Sequence, residues 1–243
     1  MTRPTIASGT MPDADHLPEG DEKVRSVRAM FDTIAPRYDL VNRVMTFGMD
    51  VRWRRTTVAR LDLPEGACVL DLACGTGDLC RELAQAAHRP VGVDLSFGML
   101  AEARTSAPLV HADILRLPVP DGAVDGVTCG FALRNLVDLR TFFVELDRVY
   151  DPEAGSRCWR WPSRPAPGCG GVTASTGRVV PRIGGLLSDA AAYRYLPKSV
   201  AYLPPADRML TLLGDAGFVR PRRDLLAYGL SQLITATRSD LVG

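Results

Sequence analysis

The sequence predicts a doubly wound α/β domain, in which a mostly parallel sheet is covered by helices on both faces. Short, continuous apolar runs of strand length alternate with stretches of about ten residues that have helical periodicity. The first run, CVLDL, leads into a glycine-rich turn, CGTGD, from which the next helix begins. This order of strand, turn and helix is typical of parallel sheets that bind a ligand at the carboxyl ends of their strands.

Residues 1–23 precede the domain, and their polar sequence with proline and glycine predicts a disordered tail. An apolar pattern with helical spacing begins near Val27 and predicts a helix that ends at Pro36. A second helix is expected from about Asp50. Together they form an N-terminal helical extension of a single domain that spans residues 24–238, with residues 239–243 as a second tail.

The remaining elements follow from the same patterns. The predicted strands are CVLDL within residues 68–77, PVGVDLS at 90–96, LVHADI at 109–114 and AVDGVTCGF at 123–131. The predicted helices are DLCRELAQAA at 78–87, SFGMLAEAR at 96–104 and LRTFFVELDRVY at 139–150. Near the end, PPADRMLTLLGDAGF predicts a helix that Gly217 stops, and AYGLSQLITATR alternates as a strand. A strand pair at the edge of the sheet is therefore expected.

The composition is that of an ordinary globular protein, with 46% apolar residues, 23% charged residues and a net charge of +1. No apolar run approaches the roughly 18 residues that cross a membrane, and no secretory signal is visible, so we expect a cytoplasmic protein. The small net charge gives no electrostatic drive toward nucleic acid. The six cysteines form no CxxC pair and the three histidines have no metal-binding spacing, so free thiols and no metal site are expected.

Glycines and acidic residues at successive strand ends predict a ligand site at the switch point of strand order. Gly75 and Gly77 allow the backbone to turn sharply and to approach a ligand closely. Asp94 ends the second strand, where a carboxylate can accept both hydroxyl hydrogens of a ribose. Asp113 follows the third strand and suits an exocyclic amine such as that of adenine, while Ile114 covers a purine face and offers its N–H.

Two classes of phosphorylated nucleotide compete for this site, and neither fits. A dinucleotide fingerprint needs a third glycine where Cys80 stands, and the GK[ST] sequence of a P-loop is missing. Asp71 and Asp78 flank the turn and are expected to repel phosphate. S-adenosylmethionine fits better, because it is cationic and carries ribose and adenine without phosphate. A strand-to-helix turn that binds no ligand stays open as the alternative.

Several motifs make the chain recognisable. LDLACGTGD, GVDLSFGML, ADILRLPVPDGAVDGVT and GFALRN are preceded by MFDTIAPRYDLVNRVMTFGMDVRWRR and followed by VVPRIGGLLSDAAAYRYLPKS. Through these motifs the chain resembles the UbiE/MenG/Coq5 family, from about Val27 to Val149 and again from Val179 to about Arg238. The resemblance implies a class I, Rossmann-like methyltransferase. It also implies a prenylated quinol substrate, which is demethylmenaquinol or the corresponding precursor in ubiquinone biosynthesis.

The resemblance and the strand-end reasoning together assign S-adenosylmethionine as the methyl donor. The expected donor-binding residues belong to the turn and the strand ends: Asp71, Gly75, Thr76, Gly77, Asp94, Asp113, Ile114 and Gly130. Of these, Thr76, Asp94, Asp113 and Ile114 carry the family's donor contacts. Gly130 stands where the family usually has serine, so only its backbone can contribute there.

The catalytic residues implied by the resemblance are Arg134 and Asn135, which look like the family's acceptor-side polar pair, and Tyr38, their N-terminal partner. C-methylation of a quinol needs an ionised hydroxyl, so that electron density reaches the ring carbon, and it needs the two carbons aligned. Because arginine is a poor proton acceptor, we expect Arg134 to stabilise the quinolate electrostatically rather than to act as a base.

Other roles stay open. Met30, Phe31 and Phe47 either pack in the core or form an apolar mouth for the substrate, and residues 193–195 (YRY) either pack or contact the quinol. We expect at most peripheral contact with the inner membrane, and a homodimer is an open alternative to a monomer. Methylation of another small acceptor is the alternative function.

Residues 150–176 depart from the family pattern. Proline, glycine, arginine, cysteine and tryptophan crowd together without a period, where the family has a PGG turn and an apolar central strand. Back-translated with GC-rich codons and read one base earlier, DPEAGSRCWRW becomes RPGGRLALLEV, which restores that turn and strand. Our hypothesis is that this segment is translated in a displaced reading frame. If so, the proline-containing sequence is expected not to complete the sheet, and the chain is expected to be catalytically impaired. An authentic divergent loop is the alternative.

Overall fold

Seven strands and their flanking helices make up the described residues of the computed structural model, which are 18–150, 159–163, 199–227 and 231–238. The strands are β1 (Cys68–Leu72), β2 (Arg89–Asp94), β3 (Leu109–His111), β4 (Gly126–Cys129), β5 (Trp159–Ser163), β6 (Phe218–Leu226) and β7 (Ser231–Arg238). Their order across the sheet is β3-β2-β1-β4-β5-β7-β6.

The first five strands pair in parallel, and only β7 is antiparallel to its neighbours β5 and β6. This arrangement confirms the predicted doubly wound, mostly parallel sheet, with the expected strand pair at its edge. The strand order reverses between β1 and β4, so the loops that leave these two strands diverge and open a crevice at the carboxyl edge.

The helices lie before the sheet and between its strands. They are α1 (Gly20–Met45), α2 (Met49–Ala59), α3 (Asp78–Gln85), α4 (Phe97–Ala101), α5 (Leu139–Val149) and α6 (Ala206–Asp215). Two 3₁₀ turns, Leu133–Asn135 and Ser199–Tyr202, are called here the 133–135 turn and the 199–202 turn. The tail was predicted to reach residue 23, but α1 already begins at Gly20.

The predicted helix break at Pro36 is wrong, because α1 continues through it. A proline inside a helix removes one hydrogen bond and destabilises it by about 3 kcal/mol. Here Ile34 and Val41 are both fully buried on either side of the proline and hold the two halves of the helix against the domain. Tertiary packing therefore overrides the local signal.

Strand β5 lies within the segment that was expected to interrupt the sheet, and in its backbone that expectation is wrong. Trp159 and Arg160 pair with β4, and the whole strand pairs with β7. Pro162 lies beyond the two residues paired with β4, at a position that still faces Leu233 of β7. A proline is tolerated where the ladder on one side has already ended.

Strand β6 has a sequence, FVRPRRDLL, whose charges and proline hide its strand character. Its pairing with β7 is irregular between Val219 and Arg222, which places Pro221 at a bulge of an edge strand, where the missing N–H is tolerated. The predicted stop of the preceding helix is confirmed, since α6 ends at Asp215 and Gly217 adopts a φ of +90°.

Two apolar clusters position the site. The larger one fills the space between the sheet and α5 and α6, where Phe142, Phe143 and Tyr150 are fully buried and the Tyr150 ring lies 6.0 Å from that of Phe218. The smaller one attaches α1 to α4 through Met30, Ile34, Ala35 and Met99. Cys68, Cys74, Cys80 and Cys129 are free thiols, as predicted, whereas Cys158 and Cys169 lie outside the described residues.

Candidate active site

A cavity at the carboxyl edge of the sheet brings most of the predicted site residues together. Its walls come from α1, from the loops that follow β1 to β4, and from the 133–135 turn. Its volume is about 120 Å³, several times the roughly 10–15 Å³ that one water needs, so an organic ligand has room to enter. The described lining residues are Val24, Val27, Arg28, Phe31, Tyr38, Ala73, Gly75, Asp94, Leu95, Ser96, Met99, Asp113, Ile114, Leu115, Gly130, Phe131, Ala132, Arg134, Asn135, Leu136 and Val137.

Asp94, at the end of β2, is held by two backbone donors. The N–H of Gly75 donates to its Oδ2 at 2.7 Å, and the N–H of Ser96 donates to its Oδ1 at 2.8 Å. Burial raises the pKa of Asp94 above its ordinary value, while the two N–H groups oppose that rise. A carboxylate has about four lone-pair sites, so this one keeps acceptors for the hydroxyls of a ribose.

Gly75 and Gly130 present bare backbone to the cavity. Gly75 has a φ of +56°, which L-residues rarely adopt, and a Cβ at either glycine would meet no atom within 4 Å. Because both residues line the cavity, a side chain at either position would extend into open space that a ligand can use. The open backbone here fits the close approach of S-adenosylmethionine that the sequence predicts.

Asp113 and Ile114 line the same cavity from the loop after β3. The Oδ1 of Asp113 accepts a hydrogen bond of 2.9 Å from the N–H of Leu115, which fixes this loop. His111 Nε2 lies 2.9 Å from the carbonyl oxygen of Leu95 and connects the end of β3 to the loop after β2. The two residues predicted to contact adenine therefore line the same cavity as Asp94, because the carboxyl ends of parallel strands meet at one edge of the sheet.

Three predicted donor-binding residues support the turn and are not among the described lining residues. Asp71 is 1% exposed and accepts a 2.9 Å hydrogen bond from the hydroxyl of Thr128, and burial raises its pKa to about 7. The Thr76 hydroxyl donates to Asp39 at 2.6 Å. Gly77 has a φ of +80°, and a Cβ there would lie 2.6 Å from a neighbouring threonine side chain. Direct contact of these three with the donor stays a prediction.

A buried ion-pair network ties α2 to the start of α3. Arg54 Nη2 lies 2.8 Å from Asp78 Oδ2, Arg54 Nη1 pairs with Asp50, and Arg43 Nε lies 3.3 Å from the same Asp50. Burial opposes ionisation of Asp50, but the Thr46 hydroxyl and the Arg54 guanidinium outweigh it and lower the pKa of that carboxyl. The network fixes the helix that follows the glycine-rich turn.

The structure does not support the expectation that Asp71 and Asp78 repel phosphate. Asp78 is balanced by the Arg54 guanidinium, and Asp71 lies beneath the turn with a raised pKa. The described carboxylates that line the cavity are instead Asp94 and Asp113, which disfavour an anion beside them, whereas Arg28 and Arg134 place positive charge in the same wall.

Tyr38, Arg134 and Asn135, the predicted catalytic residues, also line this cavity. Burial raises the pKa of Tyr38, and the nearby positive charge of Arg134 opposes that rise, so the phenol stays protonated at neutral pH. Among the described residues, Asn135 Oδ1 is buried without a hydrogen-bond partner. A buried carbonyl of this kind is stabilised by a ligand that donates a hydrogen bond to it.

The three residues considered for an apolar mouth separate in the structure. Phe31 lines the cavity, and its ring meets that of Tyr38 edge-on at 6.0 Å. Met30 belongs to the core, and Phe47 is 84% exposed outside the cavity. Residues 193–195 lie outside the described residues.

Sequence reasoning missed Asp32 and Lys23. Asp32 Oδ1 accepts from the Ser96 hydroxyl at 2.6 Å and from the Gly98 N–H at 2.8 Å, so α1 is fastened to the loop that carries Asp94. These partners are more than sixty residues away along the chain, so no local pattern signals the contact. Lys23 was assigned to the tail, although it stands out in the sequence as one of two lysines.

Comparisons with known proteins agree with this geometry. The model of the ubiE/COQ5 methyltransferase family matches residues 19–238. The chain is 40% identical over 220 residues to the demethylmenaquinone methyltransferase of Thermus thermophilus, a match that covers 86% of this chain and 100% of the relative. It is 37% identical over 227 residues to the ubiquinone/menaquinone biosynthesis C-methyltransferase UbiE of Syntrophotalea carbinolica, covering 88% of this chain and 95% of the relative.

Solved methyltransferases share the fold at lower identity. The magnesium protoporphyrin IX methyltransferase ChlM from Synechocystis PCC 6803, with bound SAH, is 23% identical with a TM-score of 0.61, over 88% of this chain and 98% of that one. A SAM-dependent methyltransferase from Aquifex aeolicus is 17% identical with a TM-score of 0.55, over 76% and 89%. These likenesses confirm the predicted fold class, and the family model covers most of the sequence. The chain belongs to the ubiE/COQ5 methyltransferase family.

Proposed function

We propose that this methyltransferase uses S-adenosylmethionine to methylate a ring carbon of demethylmenaquinol, or of a related prenylated quinol, in menaquinone or ubiquinone biosynthesis. The observation that carries the proposal is the convergence of Asp94, Arg134 and Asn135 on one cavity. Both relatives described above carry names of this reaction or pathway, and they align over nearly their full lengths.

The donor half of the cavity suits a cationic nucleoside. When bound, the donor supplies a methyl group on a positively charged sulfur; a carbon–carbon bond forms as the carbon–sulfur bond breaks, and the electron pair leaves on sulfur. The methylated ring carbon then loses its proton to solvent water, which restores the aromatic ring. Asp94 accepts from the ribose hydroxyls and Asp113 from the adenine amine. The exposed backbone of Gly75 and Gly130 allows the donor to lie close to the turn.

The acceptor half suits a dihydroxylated ring. Arg134 places a positive charge beside the hydroxyl that ionises, and this charge stabilises the quinolate from which electron density reaches the ring carbon. Asn135 Oδ1, which has no partner among the described residues, accepts from a quinol hydroxyl. Tyr38 stays protonated and offers its own O–H. The apolar ring of Phe31 lies against Tyr38 and lines the cavity beside them.

The test is methylation of demethylmenaquinol with a labelled donor by Arg134→Gln, compared with Arg208→Gln at an exposed position of α6. Arg134→Gln is expected to lower kcat/KM by about 10²- to 10³-fold, the usual loss for one electrostatic group of this kind. Its affinity for S-adenosylhomocysteine is expected to stay within about twofold of the parent value, since the lost group acts on the acceptor. Retained activity in Arg134→Gln would overturn the assigned role.

Peripheral contact with the membrane is proposed from the exposed face of α1. Leu40 and Val44, which lie one turn apart near the end of α1, are 57% and 39% exposed, and Phe47, in the turn that follows the helix, is 84% exposed. These side chains supply the apolar part of the contact. Arg37 is exposed one turn before Leu40 and adds a positive charge that suits anionic headgroups. No described helix is long and apolar enough to span a bilayer. A surface contact gives the enzyme access to a lipid-soluble quinol.

Flotation with vesicles of phosphatidylglycerol tests this contact. Phe47→Ser is expected to lower the vesicle partition coefficient at least about tenfold, since the loss of one buried phenyl ring corresponds to more than about 1.4 kcal/mol. Val144→Ser, which removes a 58% exposed residue from α5, is the matched control and is expected to bind like the parent chain. Equal binding of all three chains would contradict the proposal.

Two other candidates follow from the sequence. Methylation of a different small acceptor is tested by the same labelled-donor assay without the quinol. The second candidate is a catalytically impaired chain in which residues 150–176 are translated in a displaced reading frame. Sequencing the gene tests this hypothesis, which is rejected if no reading frame encodes a family-like strand. A homodimer stays a prediction, which sedimentation equilibrium tests.

A further inference from the structure

Lys23 is a buried ammonium in the first turn of α1. The residue is 3% exposed, and its Nζ donates a 2.7 Å hydrogen bond to the backbone oxygen of Leu136. The same Nζ lies 3.5 Å from the centre of the Tyr202 ring, which is a cation–π contact. Burial lowers the pKa of Lys23 to about 8, while the Glu19 carboxylate opposes this change, so the amine is mostly protonated at neutral pH.

These contacts join three parts of the chain that lie far apart in sequence. Leu136 ends the 133–135 turn, and Tyr202 ends the 199–202 turn. The Tyr202 hydroxyl in turn donates to the carbonyl oxygen of Pro18 at 2.5 Å, just before α1. A buried ammonium is unfavourable unless its partners are well placed, so this arrangement constrains the carbonyl and the ring more strictly than an apolar side chain would.

The position of Leu136, whose carbonyl oxygen Lys23 contacts, matters because this residue belongs to the cavity wall. Leu136 follows Arg134 and Asn135 directly, and all three line the cavity. The Leu136 N–H donates to the carbonyl oxygen of Leu133, which closes the turn at 3.1 Å. The carbonyl oxygen of Leu136, at the end of this turn, is an acceptor that the turn itself leaves unpaired. The Lys23 ammonium supplies its hydrogen-bond donor.

We propose that Lys23 is a positioning residue of the acceptor side, which holds the end of the 133–135 turn and thereby sets where Arg134 and Asn135 stand in the cavity. The inference rests on the proposed function only in assigning these two residues to the quinol. Lys23 acts through the turn and does not touch the reacting atoms. It also joins the first turn of α1 to the wall, since the neighbouring Val24 lines the same cavity.

Lys23→Met tests the proposal, because methionine keeps an unbranched side chain that ends about where the lysine Cε stood, and removes both the charge and the donor. Arg25→Met is the matched control, since it removes one cation from an exposed position of the same helical turn. For Lys23→Met we expect kcat/KM for demethylmenaquinol to fall about 10- to 100-fold, the range for loss of a hydrogen bond to a charged group. Affinity for S-adenosylhomocysteine is expected to stay within about threefold of the parent value.

Hydrogen exchange gives a readout that does not depend on activity. In Lys23→Met, the backbone amides of residues 133–137 are expected to exchange about tenfold faster than in Arg25→Met, because the local opening becomes easier. Lys23→Arg keeps a cation and donors and is expected to recover part of both losses. Tyr202→Leu removes the ring contact and the hydrogen bond to Pro18 but leaves the Lys23–Leu136 hydrogen bond in place. It is therefore expected to show the same changes at smaller size, and it serves if Lys23→Met does not fold.

The outcomes separate the two proposals. Unchanged exchange at residues 133–137 in both Lys23→Met and Tyr202→Leu overturns the positioning role. The role is also overturned if Lys23→Met has the parent's kcat/KM once the rate is divided by the concentration of protein that binds S-adenosylhomocysteine. A lysine that only stabilises the fold would change the folded fraction and leave this normalised value unchanged. If the parent chain does not methylate demethylmenaquinol, the proposed function fails, and the exchange comparison still decides the role of Lys23.

Discussion

At the scale of single residues, the carboxylates near the glycine-rich turn differ in what surrounds them. Asp94 receives two backbone N–H bonds and faces the cavity, whereas Asp71 sits below the turn with the Thr128 hydroxyl and the Cys80 thiol as its partners. The two N–H donors stabilise the charged form of Asp94 and orient it toward a ligand. The hydroxyl and the thiol stabilise the charged form of Asp71 only partly, because that carboxyl lies in an apolar interior. Neighbouring acids on one sheet therefore have separate roles.

Asp71→Asn is expected to change how stability depends on pH. Burial raises the pKa of Asp71 from 3.8 to about 7, so between these values the folded chain binds more protons than the unfolded chain. The contribution of Asp71 to stability is complete below about pH 4 and is lost as the pH rises to about 7, by roughly 4 kcal/mol. Asn does not titrate, so the variant lacks this loss.

Urea unfolding of both chains from pH 4 to pH 8 measures the effect. The free energy of unfolding of the parent chain, relative to that of Asp71→Asn, is expected to decrease across this range. Parallel profiles would show that Asp71 ionises without penalty. The comparison cancels groups that both chains share, such as Asp50, whose lowered pKa acts in the opposite direction.

The donor side of the site was predictable from sequence because it depends on strand ends. Asp94 ends a recognisable strand, Gly75 and Asp113 each follow one, and parallel strands bring their carboxyl ends together. The roles of Asp32 and Lys23 were not predictable in this way. Their partners are distant in the chain, and only the docking of α1 brings them together.

At the scale of elements, α1 and α2 are fastened to the sheet by polar contacts as well as by packing. The buried Asp50–Arg54–Asp78 network connects α2 to α3, and the contact of Asp32 with Ser96 connects α1 to the start of α4. Helix α1 therefore covers the cavity, and α2 holds the start of α3 in a fixed orientation.

Arg54→Met is expected to lower the free energy of unfolding by about 1–3 kcal/mol, because it removes the buried guanidinium that pairs with both Asp50 and Asp78. The two buried carboxylates then keep only Arg43 and Arg81, whose side chains are partly exposed, as charged partners. Arg55→Met in the same helix is the control. Arg55 is 67% exposed in its side chain and pairs with Glu82, so its loss is expected to change stability by less than about 1 kcal/mol. Equal effects in denaturant titrations would contradict the importance of the buried network.

The elements themselves were predicted unevenly. Strands β1, β2 and β4 are continuous apolar runs, and such runs identify buried parallel strands without further information. Pro36 suggested a helix end, but burial on both sides of it keeps α1 whole. Strand β6 carries arginines and Pro221, which an edge strand tolerates, so its sequence gives a weak strand signal.

At the scale of the whole molecule, β5 joins the parallel part of the sheet to the antiparallel edge. It pairs with β4 over only two residues and with β7 over five. Among the described residues, only these two parallel pairs connect β4 to β5. Strand β5 also lies in the segment 150–176, whose sequence departs from the family pattern. This is the place where the stability of the complete chain is expected to be most easily improved.

A chain that carries the displaced-frame residues across 150–176, beginning RPGGRLALLEV, is expected to unfold at a higher temperature. Restoring one or two buried apolar side chains contributes about 4 kcal/mol, which raises Tm by roughly 8–16 °C for a chain of this size. Differential scanning calorimetry of the two chains measures the change. An equal or lower Tm for the altered chain would favour an authentic divergent segment.

The burial of Lys23 also gives the protein a chemical reporter. Among 243 residues only Lys23 and Lys198 carry a side-chain amine, while the other basic side chains are guanidinium groups or imidazoles. An acylating reagent reaches position 23 only while the first turn of α1 is lifted from Leu136 and Tyr202. The labelling rate at this one amine, read by mass spectrometry, thus measures how often the first turn of α1 separates from Leu136 and Tyr202.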